Sequence, residues 1–274
     1  MTENVIVIMV RSTLDDVNLL NECIQSLELN LAPTVAESDF VFFVEKDFGE
    51  LRKSVVLPAN FNNAYSFVEI DLSIPEFILE KSEIPIFFPH PTHSNGPIGF
   101  GHPGFSIKYR SMCRFFSGAF YENEALAKYS SYIRLDTDSK FLKGADFSLF
   151  AWLKSNEIQY GFIKSAIQND HPDVVRNLRE SIQKYVGLHQ RIRMPKYLGT
   201  RMYYTNFEIG SLEFFRSDTW QKLFNHLDSS AGFYLHRWGD APVRFAGLWA
   251  VGSKKKIKSI PSGFTYFHGD IFES

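Results

Sequence analysis

The chain opens on an apolar run, residues 5–10 (VIVIMV), rich in β-branched side chains and free of alternation. Such a run predicts a strand buried on both faces. Thr13 stands three residues before Asp16, the spacing of a capping box. Leu20, Cys23, Ile24 and Leu27 then recur at helical intervals and predict an amphipathic helix over 14–29. Residues 40–44 (FVFFV) predict a second buried strand and 65–70 a third. Strand, helix and strand at this spacing predict a parallel α/β sheet.

Residues 85–105 break the pattern. Pro85, Pro89, Pro91, Pro97 and Pro103, with Gly96, Gly99, Gly101 and Gly104, exclude a regular helix or central strand. His90, His93 and His102 lie here, and the stretch reads as a covering loop rather than a three-histidine metal site. Helices are predicted over 106–116, 122–129, 146–156, 172–188, 217–227 and 241–251, the last with Asp240 as N-cap and Pro242 in its first turn. Residues 132–135 predict a strand that runs into Asp136-Thr137-Asp138, and further extended pieces fall at 160–166, 205–209 and 264–268. Lys254–Lys256 reads as a solvated turn. Without a repeat or a linker, residues 1–274 form one domain.

Composition narrows the function classes. With 45% hydrophobic residues the chain is not disordered. A net charge of −2 and a pI near 6.5 argue against a nucleic-acid partner. No apolar run approaches the roughly 18–20 residues of a transmembrane segment, and no signal peptide or Asn-x-Ser/Thr sequon is present. Cys23 and Cys113 alone exclude a disulfide framework and favour reduced thiols. These features predict a cytoplasmic protein, and a Golgi lumenal one only if the chain is a piece of an anchored protein. The 27 Phe, 12 Tyr and 4 Trp are unusually many and read mostly as core.

The candidate chemistry starts at Asp136 and Asp138. At i and i+2 in extended backbone, both side chains share a face. At the C-terminal edge of an α/β sheet they face the crevice where ligands bind. Two hard oxygen ligands there suit Mn²⁺ or Mg²⁺ carrying a diphosphate. The same pair also serves to cap amides in a strand-to-loop turn.

Four blocks carry a resemblance: residues 109–115 (YRSMCRF), 132–140 (YIRLDTDSK), 205–209 (TNFEI) and 232–243 (GFYLHRWGDAPV). In this order they resemble the fungal α-1,2-mannosyltransferases of glycosyltransferase family 15, with weaker similarity at 10–12 and 263–268. The resemblance implies a GT-A fold, a single Rossmann-like domain with a central mixed, mainly parallel sheet. It implies a nucleotide-binding half, 1–140, and an acceptor-binding half, 141–274. It also implies Mn²⁺, GDP-mannose as donor, a glycan acceptor, and transfer with retention to an α-1,2 linkage.

On this resemblance Asp136, Asp138 and His268 hold the metal, and Glu208 acts at the anomeric centre. Tyr109 and Asp240 match other active-site positions, while Arg11, Tyr109 and Arg110 face the nucleotide. Each residue has a plainer reading beside this one. Alternation also places Glu208 on the solvated face of an edge strand, and Arg11 is also suited to pair with Asp15 or Asp16. Asp136-Thr137-Asp138 replaces the family's Glu-Pro-Asp, and the loops between 141 and 204 are shorter. A covalent glycosyl intermediate on Glu208 and a same-face displacement both remain open. So do another nucleotide-sugar donor and a non-catalytic glycan-binding role.

Overall fold

The computed structural model describes residues 2–59, 61–80, 84, 106–172, 175–189, 198 and 200–273. The expected covering loop 85–105, with His90, His93 and His102, lies outside them. The strands are β1 (Asn4–Val10), β2 (Asp39–Val44), β3 (Tyr65–Glu69), β4 (Ser131–Asp136), β5 (Lys140–Lys143), β6 (Tyr160–Phe162), β7 (Ile167–Asn169), β8 (Arg201–Tyr203), β9 (Phe207–Ser211), β10 (Ile257–Ser259), β11 (Thr265–His268) and β12 (Asp270–Glu273). The helices are α1 (Leu14–Asn30), α2 (Ala32–Val35), α3 (Glu76–Leu79), α4 (Ile107–Ser117), α5 (Leu149–Ser155), α6 (Leu178–His189), α7 (Leu212–Arg216), α8 (Asp218–Asp228), α9 (Gly232–Leu235) and α10 (Asp240–Val251).

A seven-stranded sheet runs β10-β6-β9-β4-β1-β2-β3. It is parallel from β3 through β2 and β1 to β4, and again between β6 and β10. Only β9 opposes its neighbours β4 and β6. All six residues of β2 are buried, as a parallel strand covered on both faces requires. Thr13 caps α1 by accepting from the Asp16 amide, and Val17, Leu20, Cys23, Ile24 and Leu27 form its buried stripe.

Alternation along β4 divides the core. Ile133 and Leu135 enter one hydrophobic cluster with α1 and Phe207, while Tyr132 enters the other with α4, α8 and α10. Both clusters draw on residues before and after 140. The aromatic excess fills them: Tyr121 stacks on Phe215 at 4.5 Å, and Phe120 meets Phe43, Phe116 and Tyr132 edge-on or tilted.

Several elements differ from the sequence-based expectation. The extended piece expected at 160–166 is a strand only over Tyr160–Phe162 and ends in a 3₁₀ turn, Lys164–Ala166. The helix expected at 122–129 is only a 3₁₀ turn, Glu124–Leu126. Arg216 takes the carbonyls of Tyr121, Leu126 and Tyr129 at 2.7–2.9 Å, and the turn's own bonds are of the i+3 type, Ala127 to Glu124 and Tyr129 to Leu126. The helix expected from 172 begins at Leu178, because Asn177 is left-handed at φ 61°. Asp240 is the first residue of α10 rather than its N-cap, a position held by Gly239. Among the described residues no helix is long and apolar enough to cross a membrane.

Candidate active site

The parallel strands β1, β2 and β4 end together at Val10, Val44 and Asp136, and this edge carries the chemistry. Strand β4 stops at Asp136, and the Ser139 amide donates to the Asp136 carbonyl at 3.1 Å. A tight turn therefore brings Asp138 beside Asp136, rather than an extended run through both. The chain then enters β5, which pairs antiparallel with β11 (Lys140 opposite Phe267). That small sheet delivers His268 to the turn. Gly269, at φ 68°, reverses the chain at once so that Asp270 pairs back on His268.

The His268 Nε2 lies 2.9 Å from Asp138 Oδ1 and 3.7 Å from Asp136 Oδ2. One ligand atom from each of the three lies within 4.8 Å of the others. The Tyr204 hydroxyl shares a hydrogen bond with His268 Nδ1 at 3.3 Å and orients the ring. Burial works against charge on this imidazole. Hydrogen bonds and charges from Asp136 and Asp138 outweigh it and raise the pKa to about 9. The side chains of Asp136 and Asp138 stay 38% and 49% exposed, so the trio is open to a ligand. Two carboxylates and an imidazole, mutually close and open on one side, fit a divalent cation that accepts oxygen and nitrogen.

Arg11, at the end of β1, is 67% exposed at its side chain. Its amide, Nε and Nη2 donate to the buried Asp16 carboxylate at 2.6–2.9 Å. Thr137 donates to the same carboxylate at 3.0 Å, so Asp16 ties the β1 end to the turn between Asp136 and Asp138. Tyr109, on α4, lies under the Arg237 guanidinium at 5.0 Å. Arg237 itself is left-handed at φ 60°, a costly conformation for a residue with a side chain. Neighbouring Cys113 and burial push the Tyr109 phenol well above its usual pKa. Arg110 does not join the trio: it is buried and donates to the Tyr234 carbonyl at 2.8 Å, fastening α4 to α9.

Glu208 and Asp240 sit deeper. Glu208 is on an interior strand with no exposure, so the solvated-edge reading fails. Its Oε2 accepts from Arg244 Nε, and its Oε1 from Arg244 Nη2, both at 3.1 Å. The Tyr132 hydroxyl adds a bond to Oε1 at 3.2 Å. Burial pushes the Glu208 carboxyl up and pulls the Arg244 guanidinium down, each against the charge its partner favours. Asp240 bonds Arg134 Nη1 and accepts from Thr205 Oγ1 at 2.8 Å, instead of capping its helix. The other guanidinium arm of Arg134 reaches Asp136 at 3.4 Å, and its Cζ lies 3.6 Å from the Phe116 ring centroid.

Arg134, Thr205, Tyr204, Arg237 and Arg244 were not singled out by sequence reasoning, and Asp16 only as a capping-box residue and a partner for Arg11. A signal existed for Arg134, which alternates with Asp136 on the strand, and for Arg244, a charge inside an otherwise apolar helix. A cavity of about 710 Å³ opens by Ser131 and Ser211, at the opposite end of β4, and no member of the trio lines it.

An open α/β sheet with acidic residues and a histidine converging at its C-terminal edge defines the class: a GT-A glycosyltransferase fold. The chain belongs to the glycolipid 2-alpha-mannosyltransferase family, whose model matches residues 2–274. It is 39% identical over 181 residues to the probable mannosyltransferase KTR3 of Saccharomyces cerevisiae, a match covering 61% of this chain and 44% of that protein. It is 34% identical over 171 residues to glycolipid 2-alpha-mannosyltransferase 1 of Candida albicans, covering 56% and 38%. The matches thus span less than half the length of these curated relatives. Among solved structures, core-mannan synthase A from Aspergillus fumigatus, in an Mn/GDP form, aligns with a TM-score of 0.79 at 24% identity, over 99% of this chain and 76% of that one.

Proposed function

We propose that the chain is a metal-dependent retaining mannosyltransferase, moving mannose from GDP-mannose to a glycan hydroxyl to form an α-1,2 linkage. The observation that carries this is the convergence of Asp136, Asp138 and His268 at the sheet edge, in a chain of this family. The relative in its Mn/GDP form supports the metal and the nucleotide, and a relative named alpha-1,2 mannosyltransferase KTR1 supports the sugar and the linkage.

Asp136, Asp138 and His268 would hold Mn²⁺ or Mg²⁺, whose charge offsets that developing on the departing diphosphate. Arg11, exposed beside the trio, offers a guanidinium to the nucleotide. Residues 1–140 supply this nucleotide side. Asp240 faces the sugar and acceptor from the 141–274 side, fixed by Arg134 and Thr205, and Tyr109 on α4 borders the same region.

GDP-mannose with Mn²⁺ should raise the melting temperature, and Asp138→Asn should remove the shift. With a mannoside acceptor, product mass should rise by one hexose. If another nucleotide sugar alone supported transfer, the donor assignment would fall. Glycan binding without turnover of any donor would make the chain a binding protein on the same fold.

A further inference from the structure

The strap between α9 and α10, residues 236–239, has two faces. Arg237 turns toward the proposed sugar region: its guanidinium lies 5.0 Å from the Tyr109 ring and its Nη1 3.8 Å from Asp170. His236 and Trp238, on either side of it, line a separate cavity of about 640 Å³ against α6 and the end of α8. That volume suits a small ligand, and no member of the metal trio lines it. Asn177 lines the cavity, Ala231 follows Ser230 at its rim, and Arg237 stands between His236 and Trp238. All three are left-handed, at φ 57–61°. Backbone held at such a cost around one cavity marks a wall shaped for a ligand.

The polar groups of this cavity are largely unspent. The Asn177 amide donates to His236 Nε2 at 3.3 Å, which leaves the hydrogen of the neutral ring on Nδ1. Burial and the charge of Arg176 both lower the His236 pKa and favour that neutral ring. His226 Nε2 donates to the Ser181 carbonyl at 3.0 Å, which leaves its Nδ1 as an acceptor. Neither Nδ1 has a partner among the described residues, and nor do the Asn177 side-chain oxygen, the Glu180 carboxylate and the Lys184 ammonium. The larger cavity by Ser131 and Ser211 differs, because Lys256 there is paired with Glu157 at 2.8 Å and Lys154 with Glu3 at 3.4 Å. Free donors beside free acceptors, an apolar Trp238 wall and one charge of each sign match a neutral sugar rather than a phosphate or a nucleotide.

We propose that this cavity is a second sugar site, which holds the part of an α-mannoside acceptor beyond the residue whose hydroxyl reacts. This rests on the transfer reading above, with the acceptor on the Asp240 side. Asp240 follows the strap directly, so its Cα lies within about 14 Å of that of His236, a span that a short oligosaccharide bridges.

Two acceptors test the site, methyl α-mannoside and an α-1,2-linked mannotriose. In wild type the KM for mannotriose should be about tenfold lower at similar kcat, the worth of one or two net hydrogen bonds. Ser229 is exposed at the rim, so Ser229→Trp should fold, fill the cavity and bring the ratio of the two KM values close to one. Asn177→Gly keeps the left-handed backbone, removes the amide and should lower the ratio about threefold with little change in melting temperature. Mannotriose added without donor or metal should shift the imidazole NMR signals of His226 and His236 in wild type and not in Ser229→Trp. Equal KM values for the two acceptors in wild type overturn the site. So does a ratio that both folded variants leave unchanged. If wild type turns over no donor, the transfer reading falls by itself. The imidazole signals still decide the cavity: shifts with mannotriose support a sugar site there, and their absence overturns it.

Discussion

Two groups of charged residues meet on β4, where Arg134 and Asp136 stand two residues apart, and they behave in opposite ways. At the sheet edge, Asp136, Asp138 and His268 are partly exposed and gather two carboxylates around one titratable ring. One step inward, Arg134, Arg244, Glu208 and Asp240 are all buried, and two guanidiniums balance two carboxylates. The inner group completes its own charge. The outer group is open to something brought from solution. A buried carboxylate with a dedicated arginine is therefore weak evidence of chemistry, while half-exposed carboxylates crowded together are stronger evidence.

The largest effect separating the two regions should come from the inner one. Arg134→Met strands Asp240 in the interior and removes the cation from the Phe116 face. Unfolding free energy should fall by about 3–5 kcal/mol in urea titrations. A fall below about 1 kcal/mol would mean that water reaches the inner cluster, and the contrast would disappear.

The outer region should respond in ligand binding rather than in folding. Asp138→Asn should change stability by less than about 1 kcal/mol, because the side chain is half exposed. Mn²⁺ affinity, measured by calorimetry or by the EPR signal of free Mn²⁺, should fall by about 100-fold, the upper end of what even indirect ligand partners cost. Wild-type affinity in this variant would remove Asp138 from the metal site.

The pH response of the outer region follows from His268. Its pKa is raised from 6.5 to about 9 in the folded chain, so the protonated ring stabilises the metal-free fold. That contribution is fully present below the unfolded value of 6.5 and is lost as pH rises through about 9. A metal needs the neutral ring and competes with this proton. Mn²⁺ affinity should therefore rise with pH, by about tenfold per unit, and level off near pH 9. In His268→Gln the slope should flatten, which a pH series of the same titrations would show.

The contrast also marks what a single sequence reveals. The strands β1 and β2 and the helix α1 with its Thr13 cap are set by neighbours along the chain, so periodicity and capping chemistry found them, while Asp136 and Asp138 were expected at the right edge but on extended backbone rather than in the turn they form. His268 reaches the turn only because β5 pairs with β11 from the far end of the chain. No local pattern encodes that pairing, and only the family resemblance indicated it. Glu208 shows the reverse difficulty. Its alternation within TNFEI was legible, but its partner Arg244 comes from α10, and without that partner the residue was equally suited to solvent or to catalysis. The Asp240 misreading has a similar origin, since Asp before Ala-Pro is a good cap until a buried arginine claims its carboxylate.

Arg11 and Asp16 stand between the two regions and give the smallest effect. Asp16 is buried like the inner carboxylates, yet its cation is mostly in water like the outer residues. Charges of Asp16, Asp138 and Asp136 all raise the Arg11 pKa, so the guanidinium already feels the outer group. Solvent screens most of that attraction, and the Thr137 hydroxyl and the backbone amide of residue 11 would still satisfy Asp16 if the side chain were removed. Arg11→Ala should therefore cost only about 0.5–1 kcal/mol in thermal or urea unfolding. If the side chain faces the nucleotide as proposed, GDP affinity in the presence of Mn²⁺ should fall about tenfold, the worth of one charge-assisted contact. A loss of stability as large as that of Arg134→Met, with GDP affinity intact, would instead place Arg11 with the inner group, as a cation spent on its own carboxylate.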